Sequence, residues 1–208
     1  MVTDSGNRGP VTGGKQLNGV LHLLQKVAMD VGMPRENIYI KGNQLPGYFR
    51  PTKDWDLIII SPNKKLVAAI ELKSQVGSFG KNFNNRTEEA MGTAIDFWTA
   101  FRENAFPYQS MPWLGYLIMV ENTVDSTKPV KCLQPYYPVL KDFQNTSYLD
   151  RYKIFCQKLM LERMYNQACL MPISNYVTLE EVPDNISINT FLFSFIGHLT
   201  GQLHEFGK

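Results

Sequence analysis

The stretch DLIIISPNKKLVAAIELK, residues 56–73, carries the clearest structural signal in the chain. It contains two apolar runs, 57–60 and 66–70, which are separated by the turn residues 61–65. Short apolar runs that are bounded by turn residues such as Pro62 and Asn63 are typical of buried β-strands. The stretch therefore predicts two adjacent core strands joined as an antiparallel hairpin.

Acidic side chains are expected to meet at one end of this hairpin. The turn centres near Asn63, and Asp56 and Glu71 lie almost equally far from it along the two strands. Glu71 and Lys73 are two positions apart on an extended chain, so their side chains leave the same face. Two carboxylates held close together repel each other, and a divalent cation removes that conflict.

The chemistry of these side chains favours Mg²⁺. Carboxylate oxygens are hard ligands, and the backbone carbonyl of Leu72 can supply one more. Such an ion polarises a phosphate and lowers the pKa of a bound water, while Lys73 can orient or help to deprotonate that water and stabilise developing negative charge. The pattern thus predicts a metal site at Asp56, Glu71 and Leu72, suited to hydrolysis of a phosphodiester.

Two alternatives compete with this interpretation. Asp54 also precedes the first strand, but Asp56 directly adjoins the run 57–60 and is the better candidate. An ordinary surface hairpin with solvated acids and a solvated lysine would give the same triplet, because acid-x-Lys is common by chance. The acid before the first strand, the hairpin spacing and the apolar run before Glu71 coincide here, which favours the metal site.

Periodicity predicts the remaining elements. Apolar residues recur every three to four positions in several segments, as in amphipathic helices, and short β-branched runs indicate further strands. The predicted helices are 15–31, 88–102 with Thr87 as its cap, 148–170 and 189–203, and the predicted strands are 38–40 and 114–120, with a loop over 45–52. Strands separated by helices predict an α/β (α+β) fold with a central mixed β-sheet flanked by helices.

Composition limits the domain count and the class of protein. The 208 residues, 44% of them hydrophobic, suit one domain over 1–208, in which the Gly-rich residues 1–14 form a mobile N-terminal arm. Three widely spaced cysteines disfavour a disulfide framework and a zinc site. A net charge of +2 does not by itself indicate a polyanion ligand. Without a long apolar run we expect a cytoplasmic protein with no membrane contact.

Polar residues just after the hairpin are candidates for contacts to DNA. Asn and Arg make bidentate contacts to adenine and guanine, so a base-reading or phosphate-clamping loop is one interpretation of Asn82, Asn84, Asn85 and Arg86. An Asn-rich turn with Arg86 paired to Glu89 is the other.

Further residues are candidates for phosphate contacts or a second metal. The phosphate candidates are basic residues that the predicted loops put near the hairpin, although each alone also suits a solvated surface charge: Lys15, Lys41, Arg50, Lys53, Lys64 and Lys65. Glu88 or Glu89 can help to bind a second metal ion.

Longer motifs extend over nearly the whole chain. They are TGGKQ (12–16), PGYFRPTK (46–53), AIELKSQ (69–75), FNNRTEEA (83–90), PWLGY (112–116) and SYxxRY (147–152). In this order they resemble the XhoI family of type II restriction endonucleases, within the PD-(D/E)xK nuclease superfamily. The turn motif VGSFGKN (76–82) departs from that family by lacking one residue.

The resemblance implies a restriction-endonuclease-like core and a homodimer that cleaves double-stranded DNA with Mg²⁺. It implies the palindrome CTCGAG with 5′ overhangs, and a cognate methyltransferase in the same system. Carried over by position, the catalytic residues are Asp56, Glu71 and Lys73. A repair or recombination nuclease with little sequence preference and a catalytically inactive DNA-binding relative stay open as alternatives.

Overall fold

The helices and strands are those of a computed structural model, which describes residues 8–134, 136–174 and 181–207, without the side chains of residues 8–16. The helices are α1 (Arg8–Val31), α2 (Phe79–Arg102), α3 (Val124–Thr127), α4 (Tyr148–Leu161) and α5 (Ile188–Gly201). The strands are β1 (Ile38–Tyr39), β2 (Gln44–Pro46), β3 (Thr52–Asp54), β4 (Leu57–Ile60), β5 (Leu66–Gln75), β6 (Trp113–Glu121) and β7 (Gln167–Ile173).

A five-stranded mixed sheet forms the centre, with the strand order β1-β4-β5-β6-β7. Strand β4 is antiparallel to both β1 and β5, whereas β5, β6 and β7 are parallel to one another. Strands β2 and β3 form a separate two-stranded ribbon. The predicted α+β fold, a central mixed sheet flanked by helices, is confirmed.

The central strands are apolar on both faces because helices cover both. One face carries Ala69, Tyr116 and Ile118 and packs against α2 and α4. The other carries Ile70 and Leu117 and packs against α1 and α5. Parallel strands buried on both sides read as nearly continuous apolar runs, so any charged side chain on them is exceptional.

The predicted hairpin is present as β4 and β5. Leu57 pairs with Ile70, and a bulge at Ile59/Ile60 shifts the register near the turn. The turn closes through a hydrogen bond from the Ser61 N–H to the Lys65 carbonyl of 2.8 Å. Lys64 adopts a left-handed conformation with φ of 61° that lets the chain reverse.

Helix α2 begins nine residues earlier than the predicted helix 88–102. Thr87 does not cap it, because its hydroxyl donates to the Phe83 carbonyl within the helix. Phe79 stacks on Tyr148 of α4 with ring centroids 6.1 Å apart, and Phe83 packs nearby. Tertiary packing thus outweighs the poor helix propensity of Gly and Asn in this segment.

The predicted helix 148–170 is wrong in its second half. Helix α4 ends at Leu161, and β7 follows from Gln167. Arg163 takes a left-handed φ of 55°, which stops the helix, and the Met164 N–H closes its end on the Leu159 carbonyl. In a short apolar run, the spacing of hydrophobic residues does not distinguish a buried strand from a buried helix.

At the N-terminus, residues 8–14 are helical and belong to α1, while residues 1–7 lie outside the described residues. The mobility predicted for residues 1–14 stays a prediction. Pro10 is compatible with the first helical turn, where the N–H groups have no intrahelical partner. The loop predicted over 45–52 contains the end of β2 and the start of β3.

The last helix, α5, confirms the helix predicted over 189–203, and it covers one face of the sheet. Phe191, Phe195 and Leu199 are fully buried, and the first two contact the Trp113 ring. Burial of these aromatic side chains makes α5 part of the core. Among the helices that the structure describes, none is both long and apolar enough to cross a lipid bilayer.

We expect Gly115→Ala in β6 to lower the free energy of unfolding by about 1–3 kcal/mol, because a buried core tolerates added volume poorly. A Cβ at Gly115 would overlap the buried Trp113 ring and lie 3.0 Å from Phe191 Cζ. Gly19→Ala in α1 is the control, since nothing lies within 4 Å of its added Cβ. Urea unfolding compares the two, and equal stabilities would contradict the packing.

Candidate active site

Asp56 and Glu71 meet where β4 pairs with β5. The Asp56 N–H donates to the Ile70 carbonyl at 3.1 Å, just beyond the Leu57–Ile70 pair. Asp56 Oδ2 accepts a hydrogen bond of 2.7 Å from the Leu72 N–H. Side chains alternate along strands, so Asp56 and Glu71 share the face that carries Ile58. The predicted pairing of the two acids at one end of the hairpin is present.

The same hydrogen bond distinguishes Asp56 from its competitor. Asp54 lies in β3, paired with Gln44 of the separate ribbon, and is exposed. In a strand the N–H and C=O of one residue point to the same side, so the Leu72 carbonyl faces the side of Asp56. Asp56 therefore lies beside Glu71, on the side of β5 to which the Leu72 carbonyl points.

Two lysines neutralise Glu71. Lys53 Nζ lies 2.6 Å from Glu71 Oε2, and Lys73 Nζ contacts the other carboxylate oxygen. The Glu71 side chain is only 5% exposed, so its charge has little contact with water. Lys53 also donates to the Asp54 carbonyl and lies 4.7 Å from the centre of the Trp55 ring. Lys53, predicted as a phosphate contact, thus lies at the centre of the site.

Burial shapes the electrostatics of Asp56. Desolvation raises the pKa of Asp56 above its ordinary value of 3.8, and the nearby Glu71 charge raises it further. The Leu72 N–H, Lys73 and Lys53 act in the opposite direction but do not cancel the effect. Keeping Asp56 ionised therefore costs free energy in the metal-free protein. A cation bound at its oxygens would remove that cost.

An open cleft of about 580 Å³ runs beside these side chains. Its floor and walls are mostly charged and come from β3, β5, α2 and the loop before β3: Phe49, Arg50, Lys53, Glu71, Lys73, Glu88, Glu89, Gly92, Thr93, Ile95 and Asp96. Glu88 and Glu89, the candidates for a second metal, face the same cleft as Glu71. Cations and acids are thus interleaved along a surface that is open to a large substrate.

Asp96 on α2 organises the loop between β2 and β3, a role that the sequence analysis missed. Its Oδ1 accepts the N–H groups of Tyr48 and Phe49 at 2.8 and 2.7 Å, and Oδ2 pairs with Arg50 Nε at 2.8 Å. Burial alone raises the pKa of Asp96, but these three hydrogen bonds outweigh it and hold the pKa below 3.8. The sequence did contain a signal for this role, because Asp96 is a charged residue within the otherwise apolar stretch from Ala94 to Phe97.

The remaining predicted DNA contacts are spread more widely. The predicted loop 82–86 is wrong, since Asn82, Asn84, Asn85 and Arg86 lie on the first turns of α2. Arg86 pairs with Glu89 at 2.7 Å, as the alternative interpretation expected.

The basic candidates also occupy different places. Arg50 lines the cleft, whereas Lys65 pairs with Glu205 at 2.7 Å at the opposite end of β5. Lys15 lies in α1, and its side chain is outside the described residues.

Asp96→Asn should lower the free energy of unfolding by about 1 kcal/mol near neutral pH, because an amide still accepts from Tyr48 and Phe49 but not from Arg50. A carboxylate with a lowered pKa stabilises the fold above its unfolded pKa. The difference in the free energy of unfolding between the wild type and Asp96→Asn should therefore shrink as the pH falls through and below 3.8. Chemical unfolding at several pH values measures it, with exposed Asp125→Asn as the control. A pH-independent difference would contradict the ion pair.

Known proteins similar to this chain are restriction enzymes. The model of the family described as "Restriction endonuclease XhoI" matches residues 2–180. The Type II restriction enzyme BstVI of Geobacillus stearothermophilus is 45% identical over 209 aligned positions, which cover 96% of this chain and 93% of that protein. The Type II restriction enzyme XhoI of Xanthomonas vasicola is 46% identical over 164 positions, covering 77% of this chain and 66% of that protein.

A third relative, the Type II restriction enzyme AbrI of Azospirillum brasilense, is 48% identical over 126 positions, 59% of this chain and 56% of that protein. No solved structure matches. The family match includes β4, β5 and α2, and hence the cleft with its paired acids. The chain belongs to the XhoI restriction endonuclease family.

Proposed function

We propose that this chain hydrolyses phosphodiester bonds of double-stranded DNA with Mg²⁺, and that Asp56, Glu71 and Lys73 are its catalytic residues. The observation that supports this most directly is the placement of two carboxylates where β4 meets β5, with Lys73 against Glu71 and an open cleft in front. The chain's membership of a restriction endonuclease family makes DNA the substrate class.

The residues present fit a Mg²⁺ ion. Asp56, Glu71 and the Leu72 carbonyl would hold it, and all three supply the hard oxygen ligands that Mg²⁺ prefers. Burial and the Glu71 charge disfavour the ionised form of Asp56, so a cation would satisfy a charge that the fold leaves poorly compensated. Within the described residues no larger group of His, Cys, Asp and Glu competes as a metal site.

The proposed reaction is attack of water on phosphorus. A Mg²⁺ ion held at this site would polarise the phosphate and lower the pKa of the attacking water. Lys73 Nζ would orient that water and stabilise the negative charge that develops on the phosphate. As the new oxygen–phosphorus bond forms, the attacking water releases a proton to solvent. The bond to the leaving sugar oxygen breaks, and that oxygen takes up a proton from solvent. Lys53, on the other side of Glu71, is placed to bind a DNA phosphate.

DNA recognition is proposed to use α2 and the cleft. The proposed contact residues are Asn82, Asn84, Asn85, Arg86, Lys15, Arg50 and Lys53. Asn84 and Asn85 are exposed and belong to the residue type that reads adenine, whereas Arg50 and Lys53 line the cleft and suit phosphates.

The sequence specificity and assembly are also proposals. The family resemblance supports the palindrome CTCGAG, cleaved to leave 5′ overhangs. A palindrome read by identical subunits favours a homodimer, since each half-site then meets the same surface. A cognate methyltransferase is the expected partner that protects host DNA.

Incubation of the protein with plasmid DNA and Mg²⁺ tests the function. Discrete fragments would support a site-specific enzyme, and sequencing their ends gives the site and the overhang. A smear would instead indicate a nuclease with little sequence preference. Intact plasmid would contradict the proposed activity and leave a DNA-binding relative.

Glu71→Gln should reduce the cleavage rate by at least about 1000-fold, because it removes a metal ligand and a partner of Lys73. Binding to duplex DNA in Ca²⁺ should persist, since Lys53 and Arg50 remain. Glu205→Gln is the matched control, because it also removes an ion-paired carboxylate, 2.7 Å from Lys65, but outside the cleft. Single-turnover cleavage measures the effect, and an active Glu71→Gln protein would refute the assignment.

Asp56→Asn should raise the melting temperature of the metal-free protein at pH 7.5 and abolish its increase with Mg²⁺. An acid with a raised pKa stabilises the fold below its unfolded pKa and loses that contribution as the pH rises through the folded value. Asn removes the buried charge and can still accept from the Leu72 N–H. Exposed Asp30→Asn should keep the Mg²⁺ response of the wild type. A Mg²⁺ response in Asp56→Asn would exclude Asp56 as a ligand.

A further inference from the structure

Two aromatic side chains are exposed beside the catalytic cleft. Tyr48 is 53% exposed and Phe49 70% exposed, and their ring centroids lie 4.9 Å apart in an edge-to-face arrangement. They form the tip of the loop from Pro46 to Pro51, and Phe49 and Arg50 both line the cleft. Two adjacent exposed rings that border a cleft containing Arg50 and Lys53 are candidates for contact with a ligand bound in that cleft.

The loop holds these rings in a fixed position. Asp96 accepts three hydrogen bonds from it, and the Gly47 N–H bonds to the Pro51 carbonyl at 3.4 Å. Gly47 lies so close to α2 that an added Cβ would be 2.6 Å from Asp96 Oδ2 and 2.7 Å from the Arg50 carbonyl. The loop is therefore ordered before any ligand binds, which lowers the entropic cost of binding.

We propose that the Phe49 ring packs against a base of the DNA duplex beside the cleaved bond, and that Asp96 is the positioning residue for this contact. The inference rests on the proposed nuclease function. It adds an apolar contact to DNA, which the polar and basic candidate residues do not supply.

The surroundings of the rings favour DNA over a second copy of the chain. Arg50, Lys53 and Lys73 line the same cleft, together with the acids Glu71, Glu88, Glu89 and Asp96. A ligand with an anionic backbone and flat apolar groups can pair with the three basic side chains and pack against the rings. The tip exposes two side chains, far less than the roughly 800 Å² that each partner buries in a typical protein interface.

The test compares Phe49→Ala with Phe193→Ala, a phenylalanine on α5 with a similar exposure of 74%. Plasmid cleavage by the wild type first locates the cleavage site. Fluorescence anisotropy in Ca²⁺ then measures affinity for a labelled duplex spanning that site, over a series of salt concentrations. We expect Phe49→Ala to weaken binding by about tenfold with an unchanged salt slope, and Phe49→Trp to restore it, because an aromatic contact releases no counterions.

Asp96→Ala supplies the test of positioning, because it removes all three hydrogen bonds to the loop. If Asp96 acts through the loop, Phe49→Ala should weaken binding less in the Asp96→Ala background than in the wild type. Equal effects in the two backgrounds would overturn the positioning role.

The other outcomes separate the two proposals. A wild type that leaves plasmid intact overturns the proposed function. A wild type that cuts, together with Phe49→Ala binding as well as Phe193→Ala, overturns the base contact alone. A reduced salt slope in Phe49→Ala would show that Phe49 acts through Arg50 and would also overturn it. A sedimentation coefficient of DNA-free Phe49→Ala that differs from that of the wild type would also overturn the base contact, because it would identify a second copy of the chain as the partner of Phe49.

Discussion

The candidate active site depends on one electrostatic conflict, because two carboxylates are held close together where β4 meets β5. Asp56 is fixed by the Leu72 N–H, and Glu71 is almost inaccessible to water between two lysines. A carboxylate pair of this kind is unfavourable in a core, because each charge loses hydration and repels the other. Lys53 and Lys73 compensate the charge of Glu71. In the proposed function, a cation would take over that role and leave the two ammonium groups free to contact a phosphate.

Helix α2 connects this centre to the surface that would meet DNA. Its N-terminal turns carry the Asn and Arg candidates, its middle contributes Glu88 and Glu89 to the cleft, and Asp96 near its end anchors the aromatic loop. Phe79 and Phe83 fasten the start of the helix to α4. A single helix thus sets the spacing among these three groups of residues.

The family match covers the sheet and the cleft but not the last helix. Residues 2–180 match the family model, and they include the strands of the five-stranded sheet and the cleft. Helix α5 lies beyond the match, yet its Phe191 and Phe195 pack on Trp113 across the sheet from the site. The helix therefore covers the second face of the sheet.

Local sequence was sufficient for the hairpin and its acids. Strand alternation and a short turn determine which residues face each other, so Asp56, Glu71 and Lys73 could be placed together without any distant contact. Only the tertiary structure decided the early start of α2, the strand β7 and the role of Asp96. Each depends on partners far along the chain: Phe79 on Tyr148, Ala168 on Tyr116, and Asp96 on Tyr48 and Phe49. Packing and burial across such separations outweigh local propensity, and a single sequence does not display them.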